Sequence, residues 1–292
     1  MITYNTKEWF GIFRLHKSDT FRKLLPLILG IAAYTALIAA LEKEWLRLPD
    51  NSPIKNITTL HSLIGFALSM LLVFRTNTAY DRWWEGRKLW GSLVNNSRNL
   101  AVKLVPMLQG REEEKAFFAS AIPTFPVALM NHLRSDVTKF EMDERPHPEI
   151  PDFDTAQHVP AQAAGLIVGR VYELHRQGSI RAEELLLING ELSALMDICG
   201  ACERIRNTPI PYSYSAFIKK FIFVYVITLP FGFALSLGYL SIPLVALIFY
   251  ILGSLELIAE EIEEPFGADQ NDLPMDRLCR TIEKTVREIL LR

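Results

Sequence analysis

The sequence predicts an all-α membrane protein with four transmembrane helices and a large helical cytosolic region between the second and the third. Three observations carry this prediction. The apolar residues gather in four long segments arranged as two pairs, and charge-rich stretches flank each pair. No stretch shows the alternation of a strand or the turn chemistry of a hairpin. The averages conceal the split: the 292 residues are 50% hydrophobic and 22% charged, with a mean hydropathy of only +0.16. A soluble domain has nearly the same composition, so the distribution along the chain is what discriminates.

Residues 1–23 read as a cytosolic N-terminal segment carrying Lys7, Arg14, Lys17, Arg22 and Lys23. The first span, 24–41, is LLPLILGIAAYTALIAAL and has no charge. About 20 apolar residues cross a bilayer, within a range of roughly 17–25. The segment begins too far in, and lacks the small-residue cleavage site, for a signal peptide. Residues 42–59 read as an extracytoplasmic loop with Lys43, Arg47 and Lys55. The second span, 60–74, holds only His61, Ser62 and Ser69 as polar groups. The third and fourth spans, 221–240 and 242–258, are joined around Ser241 by a turn without Lys or Arg. The basic residues favour an inside N-terminus, five against three, which places both termini in the cytosol.

Residues 75–220 then form the cytosolic region, with helical spacing over 79–104, 115–133, 161–177 and 181–205. The stretch RPHPEIPDFDTAQHVP, 145–160, reads as a loop because its prolines remove donors. Residues 259–292 are the cytosolic C-terminal segment. A net charge of −2 excludes a general nucleic-acid binder, and three cysteines exclude a disulfide scaffold.

The second span does not stop at the membrane. Phe74 runs into RTNTAYDRWWEGRKLWGSL without a proline, so one long helix is expected to cross the bilayer and continue. Its stripe at helical spacing reads Ser62, Phe66, Met70, Phe74, Asn77 or Thr78, then Asp81. Such a stripe is ordinary packing in a lone helix. Repeated around an axis it becomes a hydrophobic constriction, which gates ions by dewetting.

The run FALSMLLVFRTNTAYDRWWEGRKLWG, with its Arg82-Trp83-Trp84 triplet, resembles the signature of the bestrophin family. Glu264-Pro265-Phe266-Gly267 resembles the family's Asn-Pro-Phe-Gly before an acidic cluster, and Phe13 to Leu24 resembles its basic approach to the first helix. The short C-terminus suits a prokaryotic member. The resemblance implies a homopentameric ion channel in a bacterial inner membrane, with lipid and permeant ions as its partners. It implies a pore neck at Phe66, Met70 and Phe74, the residues the stripe selects. It also implies a cytosolic aperture at an aliphatic residue, for which Leu185, Leu186, Leu187 and Ile188 are the candidates.

Eukaryotic members carry five consecutive acids that help to bind calcium. Here the run is Ala268, Asp269, Gln270, Asn271, Asp272. Calcium takes six to eight oxygen ligands, so Asp269 and Asp272 are expected to form a weak site or to cap the next helix, and no cofactor is expected.

Asp81 lies two turns below Phe74, and a ring of acids favours cations. The expectation is therefore a passive, cation-selective channel for monovalent ions such as sodium. An anion (chloride) channel of the same fold is the alternative, followed by a membrane-anchored helical scaffold or redox protein using Cys199-Gly200-Ala201-Cys202. Without a strand-helix unit or a second Cys pair, those thiols are expected to be inert, and no enzyme is expected. Arg75 and Arg82, about 100° off the stripe, are expected to pair between subunits. Glu256, Glu260, Glu261, Glu263 and Glu264 are expected on a solvated or intersubunit face, with a cation-attracting vestibule as the alternative, His61 at the outer interface, and Trp83, Trp84 and Trp90 as anchors.

Overall fold

The computed structural model describes residues 20–46, 57–134, 153–154 and 157–292. Most of the predicted N-terminal segment, Arg47 and Lys55 of the loop, and most of the Pro-rich stretch therefore lie outside the described residues. Among the described residues the regular elements are all helical. They are α1 (Thr20–Ala40), prolonged by a π-helical turn over Leu41–Trp45, α2 (Ile57–Met107), α3 (Glu112–Arg134) and α4 (Val159–Arg176). These are followed by α5 (Ala182–Asn207), α6 (Tyr212–Leu237), α7 (Ser241–Glu263) and α8 (Met275–Leu290). Of the Pro-rich stretch, Val159 and Pro160 form the first turn of α4, and His158 is its N-cap, with Nδ1 accepting from the Ala161 amide.

The described residues divide into two compact units. One holds α1, α2 up to Arg82, α6 and α7. Its small core is Leu68 and Leu72 of α2, Ile218, Ile222, Val226 and Leu229 of α6, and Val245 of α7. Most of the apolar surface of these helices remains exposed in a single chain, including Leu27, Leu29 and Leu37 of α1 and Phe223 and Val224 of α6. Helices apolar on all sides belong in lipid or in a larger assembly.

The other unit holds α2 from Trp83, then α3, α4, α5 and α8. Its core is larger: Trp90, Leu93, Leu100 and Leu104 of α2 meet Phe118, Ile122, Phe125 and Leu129 of α3, with Ile167, Val171, Ile188, Leu195, Ile282 and Val286 closing around them. α3 stays helical despite Pro123 and Pro126. Each proline deletes one backbone bond, but the buried face of α3 outweighs that loss, since packing supplies most helical stability in proteins. α8 is strongly amphipathic, with Met275, Cys279, Ile282, Val286 and Leu290 inward at helical spacing.

Thr20–Trp45, Ile57–Met107, Glu112–Arg134, Ala182–Asn207 and Tyr212–Glu263 are long and apolar enough to cross a membrane. For α3 the apolar face is already used, because two-thirds of its apolar window is buried within its own unit. α5 buries Leu192, Leu195 and Ile198 in the same core and carries Glu191, Asp197 and Glu203 along its length. Charges at mid-bilayer cost about 2.5–3.5 kcal/mol each, so α5 is a protein-packed helix as well.

Candidate ion pathway

α2 is continuous from Ile57 to Met107, 51 residues, or roughly 77 Å at 1.5 Å per residue. No proline interrupts it before Pro106 in its last turn. Over its apolar part the two faces differ sharply. His61, Leu68, Leu72, Arg75 and Ala79 are buried and follow helical spacing. The opposite face carries Phe66, Met70 and Phe74, which are 67%, 45% and 57% exposed, and continues to the exposed Asp81. In a single chain this bulky apolar stripe touches no core.

Arg75 holds the buried face in place. Its guanidinium is fully buried, with Nη2 2.6 Å from Glu263 Oε2 and Nε 3.7 Å from Glu256 Oε1, both on α7. Glu263 also accepts from the Ile210 amide through Oε1 at 2.8 Å, and its backbone carbonyl accepts from Arg82 Nε at 3.1 Å. The expected intersubunit pairing of Arg75 is therefore corrected, because its partners are in its own chain. The acidic strip is corrected in part, since Glu260 and Glu264 are exposed as expected. Glu256 and Glu263 are buried, Glu260 pairs with Lys219 at 2.7 Å, and Glu261 pairs with Lys23. Sequence reasoning missed Glu256 and Glu263 as partners. The signal was present: a helical spacing of seven puts both on one face of α7, and Arg75 falls on the Leu68–Leu72–Ala79 face of α2.

His61 is also corrected. It is buried, with Nε2 3.0 Å from Thr228 Oγ1 and its ring edge-on to Tyr225. Trp90 is buried in the core, Trp83 Nε1 donates to the Asn271 carbonyl at 3.1 Å, and Trp84 is exposed.

The four aperture candidates separate by burial. Ile188 is 0% exposed in the core and Leu185 packs against it, whereas Leu186 and Leu187 are 78% and 62% exposed. α2 positions this part of α5 directly. Lys103 Nζ donates to the Leu187 carbonyl at 2.8 Å and pairs with Glu191 at 2.7 Å, and Asn96 donates to the Glu191 carbonyl at 2.8 Å.

The segment after Pro265 packs against α2 at Gly86, where a Cβ would come within 3.1 Å of the Phe266 ring. Three of its acceptors are engaged by protein donors. Asp272 is buried, and its Oδ2 accepts from the Asp269 amide at 2.6 Å. The Gly267 carbonyl accepts from Arg134 Nε and the Asn271 carbonyl from Trp83. With one Asp272 oxygen and the Gly267 and Asn271 carbonyls already bonded to protein donors, this segment offers too few oxygens for the six to eight that calcium takes. Asp272 does not cap α8 either, since that helix begins at Met275 after Pro274.

Cys199 and Cys202 are buried free thiols. Burial, with the Glu203 charge adding to it, pushes Cys199 up to about 12, and burial raises Cys202 as well. The thiolate is the reactive form, so neither group is poised for redox chemistry.

An all-helical membrane protein with several long apolar helices, one of them carrying a pore-like stripe, is the class that the fold defines. A profile of the family described as Bacterial/Fungal Bestrophin protein matches residues 1–288. The chain belongs to the bestrophin family, whose members form channels and are not enzymes. It is 33% identical to a voltage-dependent anion channel-forming protein of Nostoc sp. over 99% of this chain and 94% of that one. It is 32% identical to a voltage-dependent anion channel-forming protein of Ralstonia nicotianae over 97% of this chain and 92% of that one. A crystal structure of a bacterial bestrophin homologue from Klebsiella pneumoniae superposes with a TM-score of 0.81 at 25% identity, covering 92% of this chain and 100% of that one.

The names of the relatives overturn the expected cation selectivity. The physical reason lies in the position of Asp81. It is exposed and sits seven residues beyond Phe74, about 10 Å along the helix. That exceeds the Debye length of about 8 Å at physiological ionic strength, so its charge is largely screened at the neck.

Proposed function

We propose that the protein is a passive anion channel of the bestrophin type, a homopentamer whose five α2 helices surround a central pore. The observation that carries this reading is the stripe Phe66, Met70 and Phe74, exposed on the face of α2 opposite its own core. α1, the apolar part of α2, α6 and α7 cross the bilayer, and both termini and the α3–α5 region lie in the cytosol.

The neck carries no fixed charge and presents ten phenylalanine rings in a pentamer, two from each chain. An aromatic ring is negative on its face and positive at its edge. Rings standing edge-on to the axis favour an anion that has shed part of its hydration, and the bulk of the three side chains sets the dewetting barrier. Leu186 and Leu187 form the cytosolic aperture, held by the bonds from Lys103. The channel names of relatives matched over nearly the whole chain support the anion assignment.

Chloride efflux from proteoliposomes containing the purified protein, with the oligomer sized in the same detergent, tests the proposal. Chloride discharge by a pentamer is expected. A chloride-tight monomer would overturn it.

A further inference from the structure

Away from the stripe and the aperture, three metal-ligating side chains from three helices converge on one point. His132 lies in the last turn of α3, His158 caps α4 and Glu203 is on α5. His132 Nε2 is 2.7 Å and His158 Nε2 is 2.6 Å from the same oxygen, Glu203 Oε1. The ligand atoms all lie within 4.8 Å of one another, and the two rings meet edge to face with centroids 4.7 Å apart. All three side chains are half-buried, shielded enough to be ordered and open enough for solvent to reach them. Arg206 Nη1 fixes the backbone beneath by donating to the His132 carbonyl at 2.7 Å.

We propose that His132, His158 and Glu203 form a binding site for a zinc-class divalent metal ion. Two imidazole nitrogens and one carboxylate oxygen are a zinc donor set, leaving a fourth position for water. Calcium and magnesium need six or more oxygen ligands and do not match it. Among the described residues no other group of three such side chains converges in this way.

Two features of the geometry have to change when the metal binds, and both can. The nitrogen-to-oxygen separations are those of hydrogen bonds. Two ligands on a tetrahedral zinc with bonds of about 2.0–2.1 Å stand roughly 3.3 Å apart, so each ring moves outward by less than 1 Å. His158 Nδ1 accepts from the Ala161 amide at 3.1 Å, which leaves the proton of the neutral ring on Nε2. Binding through Nε2 requires the other neutral tautomer, with that proton moved to Nδ1. The Ala161 amide is not stranded, because it also donates to the His158 carbonyl at 3.1 Å. Metal binding would staple α5 to α3 and α4.

Zinc titration of the full-length protein in detergent, followed calorimetrically and by thermal unfolding, tests this, with Co2+ substitution as an optical report of tetrahedral nitrogen and oxygen ligation. One ion per chain and a raised Tm are expected. His132→Ala and His158→Ser should each weaken binding at least tenfold. Serine at 158 keeps an N-cap, so this variant stays folded even if the other does not. The Cys199→Ser/Cys202→Ser double variant should bind as the parent does. Absence of binding, unchanged affinity in His158→Ser, or binding lost only in the double cysteine variant would each overturn the proposal.

Discussion

Arg75 Nη2 and Glu263 Oε2 lie 2.6 Å apart in a buried ion pair that fastens the stripe-bearing helix α2 to the end of α7. The pair faces inward at the level where the apolar stripe faces outward, one residue from Phe74. Its side chains fix the rotation of α2 about its own axis, and in the proposed channel that rotation decides which residues face the pore.

Removing one member of such a pair strands the other charge in the protein. Glu263→Ala is expected to destabilise the protein by about 3–5 kcal/mol, whereas replacing Arg75 and both of its acidic partners with uncharged residues is expected to be much milder. Thermal unfolding in detergent of Glu263→Ala, Arg75→Met and the Arg75→Met/Glu256→Gln/Glu263→Leu triple variant checks this. A triple variant no better than the singles would show that the hydrogen bond from the Ile210 amide to the Glu263 side chain, and not charge burial, dominates.

The neck residues are exposed in the single chain, so their truncation leaves no cavity in its core. Phe66→Ala, Met70→Ala and Phe74→Ala are each expected to raise single-channel conductance with little change in Tm, because widening a dewetted constriction lowers its barrier. Unchanged conductance in all three would assign the stripe to packing.

Position 188 and its neighbours separate folding from conduction. Ile188→Ala is expected to cost about 2–5 kcal/mol of stability, the usual penalty for emptying a core site. Leu186→Ala and Leu187→Ala should lie within about 0.5 kcal/mol of the parent and alter the current instead. Paired measurements of Tm and conductance distinguish the two classes.

Arg134 donates to both Asp276 carboxylate oxygens, at 3.1 and 2.7 Å, and this bond, opposed in part by burial, holds Asp276 below its ordinary value. A carboxylate depressed in the folded state contributes stability above its unfolded value, about 3.9, and loses it as pH falls through the lower folded value. Asp276→Asn should therefore be less stable than the parent at neutral pH and converge with it in acid below pH 4. Unfolding midpoints across that range test the sign. The side chain is half exposed, so the difference will be small.

Much of this protein is legible in its sequence. The helices follow from apolar spacing, and the stripe Phe66–Met70–Phe74 can be read before any coordinates because α2 has no proline to break its phase. Contacts between distant segments are not legible in the same way. Arg75 reads as a pore-side or intersubunit charge until α7 brings Glu256 and Glu263 against it. The candidates Leu185 to Ile188 differ only in which way the helix is turned, and the Trp90–Leu195 core settles that, not local pattern. Pro123 and Pro126 argue locally against α3, and packing overrides them. The histidines at 132 and 158 meet Glu203 from three separate helices, and no spacing motif announces them. Asp81 reads as a selectivity charge for another reason: a one-dimensional stripe shows which charge follows the neck, but not how strongly solvent screens it over that distance.

The reversal potential in asymmetric sodium chloride across a planar bilayer, for the parent and for Asp81→Asn, separates anion from cation conduction. A displacement toward the chloride equilibrium potential is expected in both, with the substitution making little difference at physiological salt. A displacement toward the sodium equilibrium potential, abolished by Asp81→Asn, would contradict anion conduction.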